Sequence, residues 1–308
     1  VSFLFLGSAD RSAILRSVFE AEAPDIAFHD RESTVDSADI RYLATWLLPA
    51  DMERIYPNLD ILFSTGAGAD QFDLTTLPPK LSLVRLIEKS LITGMVEYVC
   101  GAVLALHRDF LSYGAAQRRG EWKERHVSIA HQRRIGILGA GELGRAVLDA
   151  LSRFGFQLSA WSRNPRVIKG VIHHHGAAGL EAMLAETDIL VCLLPLTAAT
   201  TGILCCNIFN RLPDGAALIN VGRGRHLVDS DLLDALASGK LSQAILDVVD
   251  PEPLPQGHPF WTHPQILLTP HIASVTEPVG AAREMIANIR RHRSGKPLVG
   301  LVGRDTGY

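Results

Sequence analysis

The stretch LGAGELG (138–144) limits most tightly what this chain can fold into. An apolar run, RIGIL (134–138), ends at it, and a helical pattern begins from it. Gly139, Gly141 and Gly144 spell G-x-G-x-x-G. In a strand–turn–helix unit each glycine has its own steric task. The first permits the tight turn, the second leaves room for a pyrophosphate, and the third lets the helix sit close to the sheet. Glycines near a turn are common, and an ordinary βαβ turn is the plain alternative. The second strand, FQLSAW (156–161), arrives on schedule and favours a dinucleotide site. Unpaired N–H groups and the helix dipole then attract phosphate across Gly139, Ala140, Gly141, Glu142, Leu143 and Gly144. The helix is read over 142–154, with Leu143, Ala146, Val147, Ala150, Leu151 and Phe154 on one face and Gly155 as its stop.

The end of that second strand reads AWSRNPR (160–166). An NAD site normally carries a carboxylate there, to accept from the ribose 2′-hydroxyl. No Asp or Glu occurs between Leu158 and Gly170. Ser162 can donate a hydrogen bond, and Arg163, with Arg166 or Lys169, can pair with a 2′-phosphate. This pattern predicts NADPH in preference to NADH. A solvated arginine at a strand end is the bland alternative.

Elsewhere the chain repeats the same alternation. The candidate strands SFLFL (2–6), DIAFH (25–29), YLATWLL (42–48), DILFST (60–65) and SLVRL (82–86) precede a long helical pattern starting near Met95. A polar, irregular stretch (117–134) looks like a boundary. After it come DILVCLL (188–194), AALIN (216–220), AILDVV (244–249) and ILLT (266–269). A helix with a capping side chain in front is read at 229–239, and a last helix at 278–295. Alternating β and α units imply parallel sheets covered on both faces. With 308 residues, 47% of them hydrophobic, two domains can each bury a core.

A net charge of −3 without long runs of one sign does not point to nucleic acid or a membrane surface. No apolar stretch is expected to span a bilayer, and VSFLFLG reads as a first buried strand. Four cysteines without metal or redox spacing fit a reducing cytoplasm. His173, His174 and His175 resemble a metal tag, but consecutive side chains diverge, so no metal is expected. Arg290, Arg291 and Arg293 read as a solvated helix end.

Three stretches sit where strands of the second half exit: INVGRG (219–224), DVVDPEPLP (247–255) and TPHIAS (269–274). Ligands of open α/β sheets bind outside the carboxyl ends of the strands. The three supply Arg223, Glu252 and His271. An arginine fork can hold a carboxylate and polarise a carbonyl. A histidine can exchange the proton of an alcohol/carbonyl pair, and a neighbouring carboxylate orients it and favours its charged form. Singly, each has an unremarkable surface reading. Their coincidence beside a dinucleotide turn makes them the candidate catalytic set.

With LLPLTAATTGIL (193–204), LPDGAALINVGRG (212–224), LLDALASGKL (232–241) and LLTPHIAS (267–274), these stretches resemble the D-isomer-specific 2-hydroxyacid dehydrogenases. The 29 positions from Arg223 to Glu252 and the 19 from Glu252 to His271 agree with that family. STGAGAD (64–70) resembles its substrate-carboxylate loop. Trp46, TGMVEY (93–98), AWSR, PFWTHP (259–264) and GRDTGY (303–308) are most similar to a bacterial subgroup that reduces glyoxylate and hydroxypyruvate with NADPH. Val249 and Ala273 depart from the family's aromatic and glycine; neither change removes a reacting group, and both bear on the shape of the pocket.

The resemblance implies a flavodoxin-like substrate domain (1–94 plus 276–308) and a Rossmann cofactor domain (95–275), both doubly wound. It implies further cofactor contacts at Leu194, Pro195, Thr200, Val221, Gly222, Arg223, Asp247, His271, Ala273 and Ser274. Substrate contacts are implied at Trp46, Gly66, Ala67, Gly68, Arg223, Trp261 and His271. A homodimer is implied through the helix after Met95 and the segment around Trp122. The competing readings are an NADH enzyme for another 2-oxo acid and a non-catalytic dinucleotide sensor or corepressor.

Overall fold

Among the described residues, every pairing between strands is parallel. The computed structural model describes residues 1–304, apart from Ala67 and Val127. The sequence motif at 303–308 therefore lies largely outside the described residues. The chain divides into two compact units, one of residues 1–91 with 275 onward, the other of residues 92–274.

In the first unit, β1 (Ser2–Leu6) leads through α1 (Ala9–Glu22) to β2 (Ala27–His29). β3 (Ile40–Thr45), α2 (Met52–Ile55), β4 (Ile61–Ser64) and β5 (Ser82–Val84) follow. The sheet order is β2-β1-β3-β4-β5, the doubly wound flavodoxin order. Successive residues of a strand point to opposite faces. Phe3 and Phe5 accordingly enter one core with Phe19, Phe28 and Phe63, while Leu4 enters the other with Leu43 and Leu62.

The second unit holds most of α3 (Lys89–His107), then α4 (Phe110–Arg118), β6 (Arg134–Leu138), α5 (Glu142–Ser152) and β7 (Gln157–Ser162). It continues with β8 (Ile172–His175), α6 (Gly176–Ala185), β9 (Ile189–Cys192), α7 (Cys206–Phe209) and β10 (Ala216–Asn220). α8 (Asp229–Ala237), β11 (Leu241–Leu246) and β12 (Ile266–Leu268) complete it. The order β12-β11-β10-β9-β6-β7-β8 reverses between β6 and β9. That switch point is where a ligand crevice opens in such sheets. The chain then returns to the first unit as α9 (Pro278–Arg293), capped by Glu277 accepting from Val279 N and Gly280 N. Ala282, Met285, Ile286 and Ile289 of α9 pack into the core that contains Phe3.

The parallel two-sheet α/β architecture read from the sequence is the one found, with local differences. α3 is 19 residues long with mean hydropathy 1.5, so one helix does meet the length and composition of a bilayer span. It serves as a packed helix: Met95, Val99, Ala102, Val103 and Leu106 form a stripe buried in the second unit's core. α4 precedes the stretch read as irregular (117–134) and only its last two residues enter it; it buries no residue, so it has no buried apolar stripe. β8 is an edge strand whose only usual β-former is Ile172; three histidines, none of them buried, make up the rest. α5 ends at Ser152, burying Leu148 and leaving Phe154 45% exposed. α8 starts after Val228 without a side-chain cap. The arginines of the last helix are tied down: Arg290 donates to Glu22 O, and Arg293 pairs with Asp25.

Candidate active site

The glycine turn joins β6 to α5, and its three glycines are held to their places for three different reasons. Gly139 has φ +108°, a left-handed conformation that L side chains resist. A Cβ on Gly144 would lie 1.9 Å from the Gly139 carbonyl oxygen, so the helix start and the turn touch only because that atom is missing. A Cβ on Gly141 would meet no protein atom within 4 Å. Open space above the first N–H groups of a helix is what a pyrophosphate needs, so the residues present fit a dinucleotide. Arg145, one turn into α5, reaches back to the Gly141 carbonyl (3.4 Å) and adds a cation beside this turn that the motif does not include.

At the end of β7, Arg163, Arg166 and Lys169 are exposed. The Ser162 hydroxyl donates to Asn164 O at 2.8 Å and lies 2.8 Å from His173 Nε2.

Arg223 follows β10 in a turn fixed by buried polar groups. Asn220 Oδ1 accepts from Gly222 N (3.2 Å), and Asn220 Nδ2 donates to Arg223 O (3.1 Å). His226, wholly buried, accepts from Arg223 N through Nδ1 at 3.0 Å, and its Nε2 lies 3.3 Å from Pro195 O. His226 thereby links the Arg223 turn to the loop after β9, where Thr200 Oγ1 donates to Pro195 O (2.7 Å). The half-buried Arg223 side chain donates from Nη1 to Gly222 O at 2.8 Å. A Cβ on Gly224 would be 2.0 Å from the Val249 carbonyl, which puts this turn directly against the loop carrying Glu252.

Glu252 and His271 meet. Glu252 Oε2 is 2.8 Å from His271 Nδ1, and Oε1 accepts from Val249 N at 3.3 Å. With the Nδ1 proton directed at the carboxylate, Nε2 is the nitrogen left for a reacting group. His271 has φ +54°, unusual for a residue with a side chain. Its N–H donates to Asp247 O (2.8 Å) and Thr269 O (3.0 Å). The Asp247 carboxylate, 2% exposed, holds the rest of the loop: Oδ1 accepts from Thr269 Oγ1 (2.6 Å) and Ile272 N (2.8 Å), Oδ2 from Ala273 N (2.8 Å). Tyr98 completes the group, its phenol Oη lying 2.5 Å from Thr269 Oγ1; burial pushes this phenol up to about 12. Asp247, expected at the cofactor, thus has its oxygens directed at the backbone that aims His271. Val221 and Ala273 are buried, and Leu194 nearly so, within the same unit.

The candidate substrate loop belongs to the first unit. Ser64 Oγ donates to Gly68 O (2.6 Å) and accepts from Gln71 Nε2 (2.9 Å), while Leu86 N donates to Gly66 O (3.1 Å). A Cβ on Gly66 would lie 3.1 Å from the Trp46 ring, so Trp46 flanks this loop. Ala67 lies outside the described residues. Trp261, in the second unit, is half exposed and donates from Nε1 to Pro255 O at 3.0 Å. The sequence does not single out Ser64, Gln71, Thr269, Tyr98 or His226, because each acts by a hydrogen bond whose partner residue type alone does not reveal.

Residues 100–273 match the family model described as D-isomer specific 2-hydroxyacid dehydrogenase, NAD binding domain. The glyoxylate/hydroxypyruvate reductase A of Serratia proteamaculans is 40% identical over 279 residues, 89% of either chain. That of Yersinia enterocolitica is 39% identical over the same shares. A D-isomer specific 2-hydroxyacid dehydrogenase from Xanthobacter autotrophicus Py2, solved with NADPH and MES, superposes with a TM-score of 0.94 at 35% identity, covering 100% of this chain and 99% of that one. An NADPH-dependent glyoxylate/hydroxypyruvate reductase from Sinorhizobium meliloti, solved with NADP and sulfate, gives a TM-score of 0.90 at 33% identity with the same coverage. With its glycine turn, its His271–Glu252 pair and this likeness along most of its length, the chain belongs to the D-isomer-specific 2-hydroxyacid dehydrogenase family.

Proposed function

We propose that this chain is an NADPH-dependent reductase of short 2-oxo acids, converting glyoxylate to glycolate and hydroxypyruvate to D-glycerate. The observation that carries the reading is the 2.8 Å Glu252–His271 contact at the carboxyl end of β12, in the unit that also holds the glycine turn. Relatives named for glyoxylate and hydroxypyruvate reduction, about 40% identical, support the substrate class. Structures of similar proteins holding NADPH or NADP support the cofactor, as does the run of cations after Trp161 without a carboxylate.

In this mechanism the second unit is the cofactor domain and the first the substrate domain. The turn 139–144 holds the pyrophosphate, while Arg163 takes the 2′-phosphate end, at a turn whose shape the Ser162 hydroxyl holds through Asn164 O. Pro195, Thr200, Val221, Gly222, Ala273 and Ser274 line the remainder. When bound, NADPH supplies a hydride to the substrate's carbonyl carbon. Backbone N–H groups of Ala67 and Gly68 hold the substrate carboxylate, Gly66 belongs to the same substrate loop, and Trp46 and Trp261 limit substrate bulk. Arg223 clamps the carboxylate and carbonyl oxygens. His271, kept in orientation by Glu252, delivers the proton from Nε2 to the carbonyl oxygen. Charge grows on that oxygen in the transition state, so Arg223 and His271 act most strongly there.

The reading includes a homodimer joined through the face of α3 and the segment around Trp122. Two large apolar side chains in this stretch of the chain are open to solvent, Phe110 at 60% exposure and Trp122 wholly, and support that reading. Four free cysteines support a reducing cytoplasm.

The test follows cofactor absorbance with glyoxylate and with hydroxypyruvate, using NADPH and NADH in turn. Faster turnover with NADPH is expected. Faster turnover with NADH would keep the enzyme and reject the phosphate role of Arg163. Protein that binds a dinucleotide but turns over no 2-oxo acid would support a sensor or corepressor instead.

A further inference from the structure

We infer that His173 is a positioning residue for the 2′-phosphate of NADPH, acting through the turn that carries Ser162, Arg163 and Arg166. This deepens the NADPH reading and rests on it. β7 and β8 run side by side, with Ala160 opposite His173 and Ser162 opposite His175. His173 thereby faces the turn that leaves β7. Its Nδ1 accepts from Arg166 N at 3.3 Å, and its Nε2 lies 2.8 Å from Ser162 Oγ. The Ser162 proton goes to Asn164 O at 2.8 Å, so Ser162 Oγ must accept from the ring. Only one assignment satisfies all three contacts: Arg166 N–H to Nδ1, Nε2–H to Ser162 Oγ, and Ser162 O–H to Asn164 O. A single neutral imidazole thus orders positions 162, 164 and 166. Burial, and then the neighbouring His175, His174 and Arg166, push His173 below the usual histidine range and keep it in this neutral form.

Both ring nitrogens are engaged by the protein, so His173 itself is neither an anion ligand nor a metal ligand. The His175 ring lies parallel to it, 6.5 Å between centroids. What the ring orders is a turn whose Arg163 and Arg166 are both exposed. Free turns hold two such cations apart by repulsion, and an ordered one lets both address one dianion. A ribose 2′-hydroxyl makes no comparable demand. His173 therefore discriminates between the two dinucleotides without touching either.

The experiment compares native protein with His173→Ala, His173→Gln and His173→Asn. Gln keeps a donor near the Nε2 position, and Asn keeps an acceptor near the Nδ1 position. Calorimetry with adenosine 2′,5′-bisphosphate and with 5′-AMP reads the phosphate subsite without turnover, and steady-state kinetics with NADPH and NADH read the same split. His173→Ala is expected to weaken the bisphosphate and raise KM for NADPH about fivefold to tenfold, as loss of one or two hydrogen bonds implies. 5′-AMP affinity, KM for NADH and kcat should stay within about twofold. His173→Gln should recover most of the loss, because the Nε2 contact is the shorter, and His173→Asn little. Should the alanine variant not fold, the contrast between Gln and Asn carries the test. An unchanged preference in the variants, or equal losses with both ligand types, overturns the inference alone. Native protein that binds the bisphosphate no better than 5′-AMP overturns the NADPH reading, and the inference with it.

Discussion

Replacing Asp247 by Asn tests whether the aim of His271 depends on a buried carboxylate. The three groups that Asp247 accepts from are all donors: Thr269 Oγ1, Ile272 N and Ala273 N. An amide keeps one oxygen and turns its NH2 against at least one of them. With the amide oriented to retain the two Oδ1 contacts, the buried Ala273 N–H loses its acceptor. A hydrogen bond to a charged group contributes about 1.5–3 kcal/mol, and a buried unpaired donor costs a similar amount. The loop also holds His271 at φ +54°, a conformation costing about 1–2 kcal/mol that the surrounding bonds must offset. If the lost bond is expressed wholly in the orientation of His271, kcat falls about tenfold to hundredfold. NADPH dissociation constants from protein fluorescence, steady-state rates with glyoxylate and a urea denaturation curve together separate the effects. The reasoning is refuted if the denaturation midpoint drops while kcat stays within about twofold of native. His271 would then keep its aim without the carboxylate.

Replacing His271 by Gln removes the proton donor and should lower kcat by about 10²–10⁴ with little change in NADPH affinity; comparable losses of both would reject its assigned role. Gly141→Ala and Gly144→Ala should part ways. The first has open space around its new methyl, so it should fold normally yet bind NADPH at least tenfold more weakly. The second collides with the Gly139 carbonyl and should be destabilised by about 1–3 kcal/mol in urea. For pH, burial lowers His29, His107 and His173. Their neutral forms are favoured in the folded chain, so the unfolded chain binds more protons below an ordinary histidine value of about 6.5. Stability should thus be steady above that pH and fall beneath it. His107 is 8% exposed, with Nδ1 lacking a partner and its ring edge-on to Phe156. Denaturation midpoints of His107→Leu between pH 8 and pH 5 should therefore slope less than those of native protein, and an equal slope would assign the effect to other groups.

The alternation of strands and helices, the glycine turn and the candidate trio are legible without any tertiary contact. These are local facts: a period-two apolar run, the absence of a Cβ at three positions, and reactive side chains at strand exits. β6, with Ile135 and Ile137 on one face and Leu138 on the other, could be read without its neighbours. What aims the trio depends instead on contacts far apart in the chain. The resemblance implies Asp247 as a cofactor contact, whereas its bonds to Ile272 and Ala273 span 25 and 26 positions. His173 read as one of three idle histidines until β8 paired with β7 and brought it to Ser162. Left-handed His271 carries no local signal, since nothing in TPHIAS requires that backbone. The reason is the same in each case. A buried donor or acceptor is satisfied by whichever group the sheet brings opposite it, and that neighbour is set by strand order, which distance along the chain does not reveal.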